Sequence, residues 1–189
     1  MRILSVLLFS GVVISMMSCS SVTIKTDYDH EFDFSKFKTY RWASAKEVNP
    51  QDELQKRPLV LKRVIQAVNQ TLTEKGLTDA GENSTPDLVV MVHAGVKDKM
   101  QVNSTGGGYY SYRGWYDPWW GPYGGTTTVS YYEEATLIID LVDWEKKELA
   151  WRGMATGTLK GDNPDADEQQ ERINNVVAKI LASYPPTGK

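Results

Sequence analysis

Two apolar stripes at helical spacing flank the three longest strand-like runs of this chain, and that arrangement limits its fold more than any other feature. In the first, Leu61, Val64, Ile65, Val68 and Leu72 fall at i, i+3, i+4, i+7 and i+11, one face of a helix. Pro58 fits its first turn, where a missing N–H costs nothing, and Gly76 fits a C′ position with positive φ. In the second, Ile173, Val176, Val177, Ile180 and Leu181 form the stripe. Asn163 fits its N-cap, Pro164 its first residue, and Asp165, Asp167 and Glu168 its positive dipole end, with Pro185 and Pro186 as the stop. The remaining patterned segments read as strands. Residues 22–28 alternate apolar with polar, and 39–42 form a short second strand. Between them lies a turn-rich segment with three phenylalanines, and residues 43–57 make a long loop. Residues 87–96 are apolar on both faces, as in a central strand, and 134–143 are a third long strand. A turn at 143–147 leads to a partner strand at 148–160. That strand carries Leu149, Trp151, Gly153, Ala155 and Gly157 on one face, suited to close helix packing or a bulge. The order β-β-α-β-β-β-α predicts an α+β two-layer sandwich: an antiparallel-rich sheet with two helices on one face.

The chain has one cysteine, Cys19, so no intramolecular disulfide holds the fold. Before it come Met1-Arg2, an apolar run over residues 3–17, and Ser18: a charged n-region, an h-region and a small residue. Met16-Met17-Ser18-Cys19 resembles the lipobox of bacterial lipoproteins, with Met16 where leucine is preferred. Cysteine suits this position because a thiolate can take a diacylglycerol as a stable thioether, and each buried methylene then adds roughly 0.8 kcal/mol of anchorage. Ser10, Gly11 and Ser15 interrupt the apolar run, which is shorter than the ~20 residues of a spanning helix. We therefore expect a signal peptide at 1–18, lipidated Cys19, a tether at 19–21 and a single domain at 22–186. The membrane is then a partner through the N-terminal lipid. Ser20 rather than aspartate after the cysteine directs the expectation to the outer membrane of a bacterial envelope.

A formal net charge of −3 and a pI near 5.5, with no basic block, argue against a nucleic-acid partner. The chemistry of catalysis is thin. His30 and His93 are the only histidines. His93 alternates with Val89 and Met91, which places it as a cap on a core or facing a helix. His30 lies among Asp29, Glu31 and Asp33, without the ligand spacing of an EF-hand loop. No Cys/His cluster suits zinc, Gly106-Gly107-Gly108 does not lead into a phosphate-binding helix, and no G-x-S-x-G elbow occurs. Asp140 and Asp143, three apart on a strand, fall on opposite faces; Asp143 suits the turn that follows. No catalytic residue, metal or cofactor is expected.

Residues 106–125 have neither period and are flanked by glycines. They hold Tyr109, Tyr110, Tyr112, Trp115, Tyr116, Trp119, Trp120 and Tyr123. The polar-aromatic segments 97–105 and 126–133 could extend a long hairpin with this insert at its tip. Tyrosine and tryptophan bury much area with little rotamer loss, and their polar tips tolerate water. The eight aromatics are the candidate binding residues, for an envelope protein or for a glycan such as peptidoglycan. The alternative is a loop that folds back to cover the sheet.

Several spaced stretches resemble one family. They are Asp27-Tyr28-Asp29 with residues 33–42; Lys75-Gly76-Leu77 with residues 86–90; and residues 137–143 followed by Leu149-Ala150-Trp151-Arg152-Gly153. The final helix ending at Tyr184-Pro185-Pro186 fits as well. Together these resemble the domain of unknown function 4136 family of bacterial lipoproteins, over nearly the whole mature chain. The resemblance implies a small periplasm-facing lipoprotein domain and no assigned activity. The leading expectation is a lipid-anchored binding or structural module, with a glycan-binding lipoprotein as the alternative and an enzyme last.

Overall fold

The structure is a computed structural model and describes residues 22–82, 84–105, 126–159 and 164–186. The signal segment 1–18, Cys19, the tether and the whole 106–125 insert with its eight aromatics lie outside the described residues. Among the described residues the order is β1 (Thr23–Tyr28), β2 (Thr39–Trp42), α1 (Pro58–Glu74), β3 (Thr78–Asp79), β4 (Leu88–Thr105), β5 (Thr126–Asp143), β6 (Leu149–Thr158) and α2 (Ala166–Leu181). The sheet order is β1-β6-β5-β4-β2-β3. β1, β6, β5 and β4 pair antiparallel. β2 is parallel to both β4 and β3, because α1 carries the chain back before β4 begins.

Alternation along the strands sorts residues to two faces. Leu88, Val90 and Val92 of β4, Ile139 and Leu141 of β5, and Trp151 and Ala155 of β6 join one core. From the helices, Val64, Ala67, Val68 and Leu72 of α1 and Val177, Ile180 and Leu181 of α2 complete it. Both helices thus cover the same face, and the α+β two-layer reading holds. Met91, His93, Asp140 and Arg152 have the opposite parity and belong to the helix-free face.

Three local readings need correction. The short β3 was not foreseen. Gly76, at φ 88°, turns the chain after α1, and Thr78 and Ala80 then donate to the carbonyls of Lys38 and Tyr40, along the free edge of β2. The cap of α2 is Asp165, not Asn163, which lies outside the described residues. The Asp165 carboxylate accepts from the N–H groups of Asp167 and Glu168, so the helix starts at Ala166 and Pro164 precedes it. Leu149 does not share the inward face of Trp151. The β5–β6 register shifts between Leu141 and Val142, and Leu149 is turned out to solvent.

The strands β4 and β5 run well beyond the core pattern and include both flanking segments. β6 follows β5 only as far as the Glu134↔Thr158 pair, and β2 leaves β4 at Val90. From Asp98↔Glu133 to Thr105↔Thr126 the two strands form an arm with no third strand beside it among the described residues. Its base carries an ion pair, Lys99 Nζ to Glu134 Oε2 at 3.5 Å.

Candidate functional site

On the helix-free face, four charged or ionisable side chains from three strands and a loop meet. Asp140 faces Arg152 across the β5–β6 pair. The Arg152 Nε and Nη2 donate to the two Asp140 oxygens at 2.7 and 2.6 Å. The Asp140 carboxylate is almost fully buried, while about half of the Arg152 side chain is in solvent. The Asp140 hydrogen bonds favour the charged guanidinium and raise its pKa further. His93 stands beside the pair, with Nε2 3.8 Å from Asp140 Oδ2. Its other nitrogen, Nδ1, lies 3.4 Å from Asp52 Oδ2. A neutral imidazole has one N–H and cannot donate to both carboxylates; an imidazolium can.

Asp52 comes from the long loop between β2 and α1, and it is held firmly. Its Oδ1 accepts from Leu54 N at 2.9 Å and from Ala94 N at 3.1 Å. Ala94 lies on the β4 edge that β2 has already left, so this carboxylate takes the place of a missing strand. The same loop and edge, with α1, bound a half-open cleft of about 220 Å³ lined by Trp42, Val48, Leu61, Ile65 and Met91 among others.

A second ion pair fastens the start of that loop. Arg41, buried on β2, donates through both terminal nitrogens to Glu47 at 2.9 Å. Ser44 adds its N–H and hydroxyl to Glu47 Oε2. These bonds, Arg41 first, hold the Glu47 carboxyl down at about 2. The Arg41 guanidinium also lies over the Trp144 ring at 4.7 Å, and Lys147 Nζ lies 3.0 Å from the same ring centre. At the start of β4, Asp87 accepts from Lys38 N, Thr39 N and Thr39 Oγ1, each at 2.8 Å. Burial pushes the Asp87 carboxyl up, and these hydrogen bonds outweigh it, leaving the carboxyl below its ordinary value.

The sequence readings meet this geometry unevenly. His93 was placed as a cap on a core or facing a helix; it lies instead on the face away from both helices, between two carboxylates. Arg152 finds Asp140, a partner that was not foreseen. The turn centred on Lys146 puts these two residues opposite each other, so the signal was present in the hairpin. Asp52 and the Arg41–Glu47 pair were missed, and nothing periodic marks residues in a loop. Asp143 shapes the turn as expected, accepting from Lys146 N at 2.6 Å. His30 packs on Tyr28, ring centres 4.4 Å apart. Among the described residues, no group of three or more His, Cys, Asp or Glu is arranged to hold a metal ion. Cys19 and the eight aromatic candidates lie outside the described residues.

A family model described as "Domain of unknown function (DUF4136)" matches residues 24–186. No curated protein matches the sequence. Among solved structures, the chain is similar to a PDZ domain protein from Parabacteroides distasonis, 14% identical with a TM-score of 0.55. That match covers 89% of this chain and 36% of the other, so the chain spans about a third of that protein's length. It is also similar to the PelC dodecamer from Paraburkholderia phytofirmans, 11% identical with a TM-score of 0.46, over 85% of this chain and 95% of the other. At such identities the likeness to the PDZ domain protein concerns the fold alone.

Proposed function

Because the chain belongs to the DUF4136 family, whose description names no activity, we propose a role from its own residues: a lipid-anchored cell-envelope protein that acts as a binding or structural module. The anchor is Cys19 with its acyl chains, the compartment is the bacterial envelope, and the destination is the outer membrane. The lipobox-like Met16-Met17-Ser18-Cys19 supports the anchor. Among the described residues, no helix is long and apolar enough to cross a membrane.

The observation that carries the binding role is the free arm. Thr105 pairs with Thr126, so the aromatic segment is joined to the body through two strands that pair with no third among the described residues. A two-stranded ribbon is marginally stable by itself in water, and a partner would offset the cost of ordering it. The role is non-enzymatic. In its support, His93 faces Asp52 and Asp140, and Asp140 is engaged by Arg152. Neither partner of the imidazole is a hydroxyl or thiol that it could deprotonate into a nucleophile.

Two measurements test the proposal. Mass spectrometry of the membrane-extracted protein should find acyl mass on an N-terminal Cys19, and Cys19→Ala should leave the membrane fraction or stay unprocessed. A soluble mature protein beginning elsewhere would rule the anchor out. Photocrosslinking in cells from positions in 106–125 should capture a defined envelope component, whereas crosslinking only within the chain would remove the binding role.

A further inference from the structure

Resting on the lipid anchor proposed above, we infer that the arm end of the sheet sits against the anchoring bilayer, and that the β4–β5 arm lies in its interfacial layer. The tether and the arm leave the sheet at the same end. β1 starts at Thr23, in the row of Thr156, Thr136 and Gly95. One residue earlier, Val22 is half-buried and packs over Gly157, whose row holds Ala135 and Val96. The chain is therefore fixed at Val22, on the row where the arm is about to leave the sheet.

From Cys19 to Val22 are three residue steps, which span at most about 11 Å. From Val96 to Thr105 the arm advances nine residues, about 30 Å at strand rise. An acylated Cys19 thus brings the bilayer surface within about 11 Å of a point that the arm overreaches by about 20 Å. An arm that long, on a tether that short, lies along the lipid interface or dips into it.

Among the described residues, three of the four large exposed apolar side chains lie at the same end; the fourth, Leu149, is beside the β5–β6 turn. Met100 projects from the arm and is 60% exposed. Leu159, 40% exposed, follows β6 where its N–H bonds the Glu133 carbonyl. Leu59, 69% exposed, is in the first turn of α1, whose first half meets that of α2 through Arg63 and Gln169. α2 begins shortly after β6 ends, so both helices start at the arm end. Large exposed apolar residues sharing one end fit a lipid surface better than open water. The opposite end carries the β5–β6 turn with Glu145, Lys146 and Lys147, all exposed.

The test uses the full-length lipidated protein in phosphatidylethanolamine/phosphatidylglycerol vesicles. Acylated Cys19 has no free thiol, so one introduced cysteine is the sole labelling site. Met100→Cys and Glu145→Cys are labelled with a polarity-sensitive fluorophore, and the vesicles carry a headgroup nitroxide quencher. The label at position 100 should be quenched several-fold more than that at 145 and should shift to the blue. Protein that floats with the vesicles while both labels are quenched equally, or 145 more, overturns the inference and leaves the anchor standing. Protein that does not float removes the anchor and the inference with it.

Discussion

Gly153 is the position where one methyl group would cost the fold most directly. A Cβ there would overlap the Trp151 ring and come within 2.5 Å of Ile180 Cγ2. The close approach of β6 to α2, and the seat of the largest buried side chain, both depend on that missing atom. Gly153→Ala should lower stability by about 1–3 kcal/mol through overpacking, read as a drop in the urea midpoint at unchanged slope. Trp151 is wholly buried and meets Tyr184 edge-on at 5.6 Å. Trp151→Ala should cost about 3–5 kcal/mol. Trp42 is only half-buried, and its Nε1 shares Asn69 Oδ1 with the Tyr40 hydroxyl. Trp42→Ala should therefore cost clearly less than Trp151→Ala in the same thermal melts. Equal losses would mean that exposure is a poor guide here. Trp151 Nε1 has no partner among the described residues. Some of the packing gain at this side chain is thus offset by an unpaired donor.

The loop between β2 and α1 is the element whose role changed most between sequence and structure. Helices and strands were legible because burial imposes a period: the α1 stripe and the apolar run of β4 follow from it directly. The aromatic end of the core was half legible, since the segment with the three phenylalanines read as turn-rich, but nothing in it showed that Phe34 would stack edge-on against Tyr28 and Tyr184. The loop has no period, and its order rests on single carboxylates. Asp52 closes the β4 edge and Glu47 locks onto Arg41, contacts that depend on distant partners and leave no local pattern. Glu47 gives this fastening a pH signature. Its folded pKa of about 2 lies below its ordinary 4.5, so the stabilisation is present above 4.5 and is lost as pH falls through about 2. Glu47→Gln should lower the urea midpoint at pH 7, and the gap from the unmodified protein should narrow by pH 2. A gap that stays constant across that range would show that the charge of Glu47 contributes nothing. Some acid sensitivity should persist in the variant, because the Asp87 carboxyl is also held below its ordinary value.

At the scale of the whole molecule, the body and the arm should behave as separable parts. Among the described residues, the core is complete by the row of Val96, and the arm strands pair only with each other. Replacing residues 98–133 by a tight turn should leave the thermal midpoint of the body nearly unchanged, while crosslinking to any envelope partner disappears. Unfolding of that deletion variant would show that the segment covers the core. The helix-free face was invisible as a site in the sequence because its residues are spread over a loop and three strands. Only the register brings Asp52, His93, Asp140 and Arg152 together.

The placement of β1 also has a meaning in time. Its one neighbour in the sheet is β6, with Thr23 opposite Thr156 and Tyr28 opposite Trp151. Among the described strands β1 finds its partner only once β6 has been synthesised, and the loop to be closed spans most of the domain. β4 and β5, consecutive in the chain with residues 106–125 between them, can meet before that. The end of the domain beside the tether is therefore secured late, after β4 and β5 have met. In pulse-labelled hydrogen exchange, the β1 amides should gain protection with the final folding phase, after those of β4 and β5. Protection of β1 in the first phase would overturn that order.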